Sequence, residues 1–579
     1  MIRISDPKQG NFFDPWDFLS PKRRKLLDQS WAGLFQKELL CELPVRELAP
    51  FFTDGFGRPT KELHTVLGAL VLQQTHDLTD EETVDQLAFN IQWHYALNIT
   101  EESDSAKYMC PKTLWNMRSI VVDNALDTIL LDRITEKLSK VFKVNTEKQR
   151  IDSVHIKSNM QRLGRISIFV KSMNKFLVNL KRSHADLFKT VEQDIVEKYL
   201  PEKALKCFSM VKPSESGKSL ASLSADLFDL VQQFKDHPEV STMDSYKLLE
   251  RVLREQCNLT ESNAKNAVEV KKPKDIPSDS LQNPSDPDAT YSGHKGQGYQ
   301  VQIMETYCKD EEAKEKTLNL ITHVQVDPAH ESDANALIPA IKSTRERGLS
   351  PEELLADALY GSDENSQEAK GLGVDIVAPT MGSKHESSIS LSDFKSTEKG
   401  IVTSCPQGYE PIKTKKKKTR HTAVFDSRHC MKCPNEEICP VKRGKRHHYL
   451  RYTDKEMRLS KRRAYEQTDE FKDRYRWRAG VEGTMSEYDR KTGIKHLRVR
   501  GLKAVRFCAT LKAIGVNIFR ATAVRRAISV DKTKHEGGLY GQMYVFFVIK
   551  EHILMAMSHL KNIFIPFARY YVHTHIIAG

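Results

Sequence analysis

Apolar residues recur at helical spacing early in the chain. Leu67, Leu70 and Val71, then Val84, Leu87, Ala88 and Ile91, fall about one turn apart and predict two short helices joined by His76–Asp80. The second helix opens on a capping box, Thr79-Asp80-Glu81-Glu82. Such a pair suits a helix-turn-helix-like DNA-binding unit or a plain helical bundle, and Pro111 marks the start of a further helix. Around Arg150 the period changes. RIDSVHI alternates and is rich in β-branched residues, which predicts a strand carrying Asp152. From about 165 to 260 the helical period returns, with most charges on a solvated face. A Pro/Asp/Ser-rich linker follows at 270–289. Strand-like runs then occupy 298–308, 317–326, 354–360 and 374–380, separated by helical runs at 332–348 and 366–373. Strands alternating with helices indicate an α/β sheet, with Asp357 at the C-terminal end of a strand, where such sheets place ligands. A long helix from about 465 to 490 carries Glu482.

Length turns this pattern into several units. The 579 residues exceed one core and suggest three or four units at roughly 150 residues each. The 89 Lys+Arg against 77 Asp+Glu, a net charge of +12, favour a polyanionic partner. The N-terminus lacks the apolar core of a signal peptide, and no stretch reads as the roughly 18 uncharged apolar residues of a membrane span, so a cytoplasmic protein without a membrane partner is expected. Ten cysteines are too sparse for a disulfide scaffold, which makes their clustering informative.

Asp152, Asp357 and Glu482 each stand where a strand or helix could hold a carboxylate over a shared point. Three carboxylates suffice to hold paired Mg²⁺ ions, which activate a water and neutralise a leaving oxyanion in phosphodiester cleavage. Spacing alone does not select these three from the chain's many acids. Two nucleotide-like runs are set aside: SESGKS has Lys212 where a phosphate loop needs its first Gly, and the GQG at 296–298 lacks a third glycine.

From Tyr475 the chain reads YRWRAGVEGTMSEYDR, which resembles the Y-x2-R-x3-E-x6-K signature of insertion-sequence DDE transposases. Tyr475, Arg478 and Glu482 match in type and spacing and share one face of a helix. Asp489 stands at the final position; one residue on, a turn of roughly 100 degrees leaves Arg490 as a partial substitute and points Lys491 away. RIDSVHIKSNMQRLGR is similar to the family's first-Asp strand, DATYSGHKGQGYQVQIMET to its core hairpin, and ADALYGSDEN to its second-Asp motif, with Leu359 where a Gly is usual. Asp327 competes for that second position, but the Tyr-Gly and helix after Asp357 fit the motif better.

The resemblance, in order from about 50 to 520, implies a multidomain α/β protein with an RNase H-like mixed sheet. Its implied units are an N-terminal helical DNA-binding region (1–145), the first core strand (146–165), a helical insertion and linker (166–285), more core (286–400), a basic zinc-binding insertion (401–450), C-terminal core helices (451–525) and an atypical apolar tail (526–579). It further implies that Asp152, Asp357 and Glu482 bind Mg²⁺ or Mn²⁺, that Tyr475, Arg478 and Arg490 meet DNA, and that transposon ends are nicked and joined to target DNA. Synapsis of two ends implies a homodimer, and the source implied is bacterial, with the protein on the nucleoid when bound. A decayed end-binding copy and a nuclease without strand transfer are the alternatives.

Cys405, Cys430, Cys433 and Cys439 lie between Asp357 and Glu482, and the Cys430-x2-Cys433 pair has the spacing of a zinc knuckle, so a structural Zn²⁺ is expected, with His421, His429, His447 or His448 as possible substitute ligands. From Cys405 to Leu450 there are 12 Lys+Arg against 4 Asp+Glu. The run Lys415, Lys416, Lys417, Lys418 within it reads as a solvated loop or, beside an active site, as a phosphate contact.

Overall fold

The computed structural model describes residues 2–8, 14–52, 59–201, 215–259, 268–382 and 389–536. Lys212 and the apolar tail from 537 onward lie outside the described residues.

The N-terminal unit is a helical bundle around α1 (Leu63–Thr75), in which every residue but Gln74 is buried. A helix buried on nearly every side belongs to a core, so α1 itself offers no face to a DNA groove. Around it run α2 (Asp80–Phe89), α3 (Pro111–Asp123) and α4 (Leu126–Phe142). The capping box forms in full: Thr79 Oγ1 accepts from the Glu82 amide at 3.2 Å, and the Glu82 carboxylate accepts from the Thr79 amide at 2.8 Å. Pro111 sits in the first turn of α3, where an amide would have no partner in any case.

Strand β1 (Lys148–Lys157) follows and is the middle of the main sheet. The chain then leaves the sheet for α5 (Arg165–Ser183), α6 (Ser216–Phe234) and α7 (Asp244–Gln256), which enclose a separate core including Phe169, Phe176, Leu227 and Tyr246. A ribbon of Cys257–Leu259, at the end of the stretch whose period reads as helix, with Val268–Val270 closes this unit.

β2 (Gly296–Thr306) returns antiparallel to β1, with Ile303 opposite Asp152 and Gln302 opposite Ser153. β3 (Ile321–Pro328) lies antiparallel on the far side of β2, an edge it shares with the short strand Thr290–Ser292. Helix α8 (Leu337–Glu346) crosses to β4 (Glu353–Leu355), parallel to β1, and α9 (Asp363–Gly371) to β5 (Asp375–Val377), parallel to β4. The order across the sheet is β3-β2-β1-β4-β5. The run 354–360 keeps strand geometry only to Leu355. Asp357 Oδ1 then accepts from the Leu359 amide at 2.8 Å, an Asx turn, and Tyr360 is fully buried beneath it.

A small sheet comes next, of β6 (Lys413–Lys417), β7 (Arg420–Phe425), β8 (Lys442–Arg443) and β9 (His448–Thr453) in the order β6-β7-β9-β8. The lysine run is thus an edge strand and not a loop, with only Lys418 at the turn. This unit has its own core of Phe394, Phe425, Leu450, Tyr452 and Met457. Helices α10 (Asp454–Tyr465), α11 (Asp469–Tyr475), α12 (Gly480–Thr492) and α13 (Leu502–Glu536) complete the chain as described.

The continuous helix expected over 465–490 is interrupted: α11 ends at Tyr475, a 3₁₀ turn spans Arg476–Ala479, and α12 begins at Gly480. Arg150 explains the break. Its Nη1 donates to the Trp477 carbonyl at 2.8 Å, and a Cβ at position 480 would lie 2.0 Å from that nitrogen. Leu502–Ser529 of α13 is long and apolar enough by composition to cross a membrane, but its 18-residue window carries charge, so no uncharged apolar run of that length occurs there. That window is 83% buried inside the protein, where it packs on α1, α4 and β3.

Four elements meet at one buried carboxylate. Glu305 of β2, with no exposure, accepts from Arg150 Nε of β1 at 2.7 Å, Arg520 Nη1 of α13 at 2.7 Å and Thr484 Oγ1 of α12 at 2.8 Å. Arg520 also pairs with Glu487 at 2.7 Å, which balances the charges of the group. Removing one charge from such a network strands the others without water. Glu305→Gln should therefore lower stability by about 3–5 kcal/mol, read as a shift in the urea midpoint of the sheet's unfolding.

Candidate active site

The carboxylate site forms where β1 outruns β4. The last pair between them is Arg150 with Leu355; Asp152 on β1 and Asp357 in the turn after β4 each lie two residues further on, near enough for their charges to interact. α12 crosses this face of β1, its Val481 and Met485 sharing a core with Val154 and Ile156. The Arg476–Ala479 turn at its start delivers Arg478 to the site: Nη2 donates to Asp152 Oδ2 at 2.7 Å and Nη1 to Glu482 Oε1 at 3.3 Å. Asp152 Oδ1 accepts from the Ser153 amide at 2.8 Å.

Electrostatics place the remaining members. Burial pushes the Asp152 carboxyl above its ordinary pKa, Arg478 works against that, and the negative charges of Asp357 and Asp333 add to it. Burial also raises the Tyr475 hydroxyl, opposed by Arg478 and assisted by Asp357 and Asp152. Tyr475 stacks on Phe471, ring centroids 5.4 Å apart. Asp152, Asp357, Arg478 and Tyr475 therefore share one field, and Glu482, 70% exposed, joins through Arg478. Arg490 is exposed further along α12, while Lys491 turns away to Glu487 at 2.7 Å and lies over Phe519. Asp489 pairs with Lys495 Nζ at 3.3 Å. Asp327 stands on β3, two strands from Asp152, hydrogen-bonded to Gln325 at 3.0 Å.

Hard carboxylate oxygens are the right donors for Mg²⁺. As arranged, however, no three His, Cys, Asp or Glu side chains among the described residues are gathered as a cation site, and a guanidinium stands between two of the carboxylates.

Asp333 is the member that sequence reading passes over. Only 7% exposed, it accepts from Ser153 Oγ at 3.0 Å, Gln302 Nε2 at 3.0 Å and Lys295 Nζ at 3.1 Å. Gln302 in turn accepts from the Tyr360 hydroxyl, and Asn365 Nδ2 donates to both the Ala334 carbonyl at 2.9 Å and the Tyr360 carbonyl at 3.0 Å. Asp333 thereby ties the residue after Asp152 to the turn that carries Asp357. Its only signal in the chain is a Ser-Asp pair before a helix, which marks a helix start and no chemistry.

In the small unit, Cys405, Cys430, Cys433 and Cys439 line one cavity of about 40 Å³ together with His429 and His448. Burial, then the neighbouring Cys439, Cys405 and Cys433, push the Cys430 thiol up to about 11. Tyr409 stacks on His429 at 4.2 Å between centroids. His421 is committed elsewhere, to Asp454 at 2.6 Å, whereas His448 Nε2 is buried without a partner.

The raised pKa of Asp152 has a measurable sign. A carboxyl whose folded pKa exceeds its unfolded value stabilises the fold fully below that unfolded value and less as pH rises through the folded one. Asp152→Asn should then melt no lower than wild type at pH 7, and the gap should close as pH falls below about 3.9. A lower Tm for the variant at pH 7 would contradict the assigned strain.

Known families meet the chain at these places. Residues 404–522 match the transposase DDE domain, a span that runs from the cysteine cavity through the Tyr475–Glu482 segment into α13. Residues 35–119 match the transposase domain DUF772, which covers α1 and α2 and most of α3. No curated protein matches the chain. A DUF772 domain followed by a DDE domain makes this chain a DNA transposase of the insertion-sequence DDE class, a polynucleotidyl transferase.

Proposed function

We propose that Asp152, Asp357 and Glu482 are the catalytic carboxylates and that the protein nicks transposon ends and joins them to target DNA. The observation that carries this reading is that Asp152 of β1 and Asp357, in the turn that ends the adjacent parallel strand β4, share one electrostatic field, with Arg478 linking Asp152 to Glu482. The order β3-β2-β1-β4-β5, three antiparallel strands followed by two parallel ones, supports an RNase H-like core.

DDE domains work with divalent cations. Mg²⁺ or Mn²⁺ held by the three carboxylates would supply the Lewis acid and the activated water. The protein's own part begins with Arg478. An incoming DNA phosphate is an alternative partner for its guanidinium, and that exchange frees Asp152 and Glu482 as ligands. Water adds to the scissile phosphorus as the 3′-oxygen leaves with a proton, giving a 3′-hydroxyl and a 5′-phosphate. That hydroxyl then attacks a target phosphate and displaces its 3′-oxygen, so bonds balance without an energy source. Tyr475, at the end of α11, and Arg490, exposed on α12, would meet the backbone of the ends, with Lys415 and Lys417 of the lysine run as further candidate contacts. Holding two ends together calls for a homodimer. The four cysteines, the softest donors lining their shared cavity, would hold a structural Zn²⁺ there.

Asp152→Ala, Asp357→Ala and Glu482→Ala should each abolish cleavage of end-containing duplex in Mg²⁺ or Mn²⁺ and leave end binding within about twofold. Full cleavage by any one removes that residue from the site. Cleavage by wild type without joined product identifies a nuclease, and end binding without either identifies a decayed copy, a reading that Asp489 at the signature's lysine position favours.

Metal analysis of freshly purified, reduced protein should find about one Zn²⁺ per chain, lost in the Cys430→Ser/Cys433→Ser variant. Zinc-free wild type would leave the cavity a packing feature only.

A further inference from the structure

The small sheet has two unlike faces, and its register gathers six of its cations on one of them, leaving Lys416 and Arg443 on the other. Residues directly opposed across strands share a face. One row is Lys413, Val424, Tyr449 and Lys442, the next Lys415, Thr422 and Arg451, the third Lys417, Arg420 and Thr453. These three rows lie on the same face and bring together Lys413, Lys415, Lys417, Arg420, Lys442 and Arg451, all exposed, with no acidic residue in any row. Arg451 lies over the ring of Tyr449, 5.6 Å from its centroid, so the middle of the face is an aromatic plate carrying a cation. The alternate rows, Thr414–Ala423–Leu450 and Lys416–His421–Tyr452, turn the other way onto the core of Phe425, Leu450 and Tyr452. Lys416 is accordingly not equivalent to its neighbours and pairs with Asp454 at 3.3 Å.

Edge strands commonly carry lysines that keep them from pairing with other chains, and that alone would account for β6. It does not account for Arg420 and Arg451, which lie on the two inner strands. Six cations on one face without a counter-charge repel one another, and a polyanion relieves that repulsion. The face is also mechanically joined to the carboxylate site. β9 runs directly into α10, whose Arg458 pairs with Asp363 at 2.6 Å and whose Arg462 donates to the Gly361 carbonyl at 2.8 Å, on either side of the start of the helix that follows Asp357.

We propose that the Lys413/Lys415/Lys417/Arg420/Lys442/Arg451 face docks the sugar–phosphate backbone of duplex DNA without regard to sequence, and that Lys416 and Lys418 take no part. The identity of the polyanion rests on the transposase reading; the choice of face rests on the register alone.

The test uses the full chain and two labelled duplexes, one with a transposon end and one of random sequence, in salt titrations without added Mg²⁺ or Mn²⁺. Each phosphate contact contributes nearly one unit to the slope of log affinity against log salt. Lys413→Gln/Lys415→Gln/Lys417→Gln should flatten the slope by about two to three units and weaken both duplexes by the same factor. Lys416→Gln/Lys418→Gln, from the same strand and turn and removing two charges against three, should move it by less than about half a unit. Because β6 could be disturbed by three changes, Arg420→Gln/Arg451→Gln is measured as well and should flatten the slope by about two units. Equal flattening by the face set and the Lys416/Lys418 set would reduce the face to a diffuse charge and overturn the proposal. So would unchanged slopes, or a loss confined to the end duplex. If wild type binds neither duplex, it is the transposase reading that fails.

Discussion

A carboxylate sealed from water keeps its charge only if cations reach it, and Glu305 is reached by two from different parts of the chain, Arg150 and Arg520. The arrangement of the site follows from that constraint. Arg150 is drawn across to Glu305 from β1, and its remaining donor takes the Trp477 carbonyl, which stops α11 from running on into α12. The turn so formed sets Arg478 over Asp152, two residues along β1 from Arg150. Thr484 and Glu487, one and two turns into α12, fasten that helix to the same group. One desolvated charge thus fixes the angle at which the helix bearing Glu482 meets the strand bearing Asp152.

Much of the secondary structure was legible because its causes are local. The capping box at Thr79, the Pro111 helix start and the alternation in RIDSVHI each act within a few residues, and each appears where the pattern puts it. What could not be read were features with distant causes. The break at Arg476–Ala479 depends on a guanidinium more than three hundred residues earlier. Asp333 owes its place to Ser153, Lys295 and Gln302, none of them its neighbours in sequence. The lysine run was ambiguous because β-propensity is low for lysine; its strand forms by pairing with β7, whose Ala423 and Phe425 have a core to cover.

Arg478 illustrates how a site can be assembled yet not ready. Its guanidinium pairs with two of the carboxylates proposed to hold a cation, so in that reading metal and arginine would compete for one set of oxygens. Anything that draws Arg478 away strengthens the site for a cation, and the reverse holds by linkage. DNA phosphate is the obvious such agent, which would make cation uptake and substrate capture favour each other and keep the free protein from acting as an indiscriminate hydrolase.

The helical unit lodged between β1 and β2 has a consequence for how the chain folds. Asp152 and Ile303 are partners in the sheet, yet a whole helical core lies between them in sequence. Pairing such distant segments is slow when the connecting chain is loose, since closing a long loop loses entropy before any contact compensates. A unit with its own core shortens that loop by folding first. Contacts between its two ends, Arg165 bonded to Gln256 at 2.9 Å and Asn283 to the Gln161 carbonyl at 3.0 Å, hold entry and exit together. On a ribosome, the strand bearing Asp152 would emerge well before its partner and wait exposed. The insertion is then a timing element, and weakening its core should delay the sheet without touching a single residue of the site.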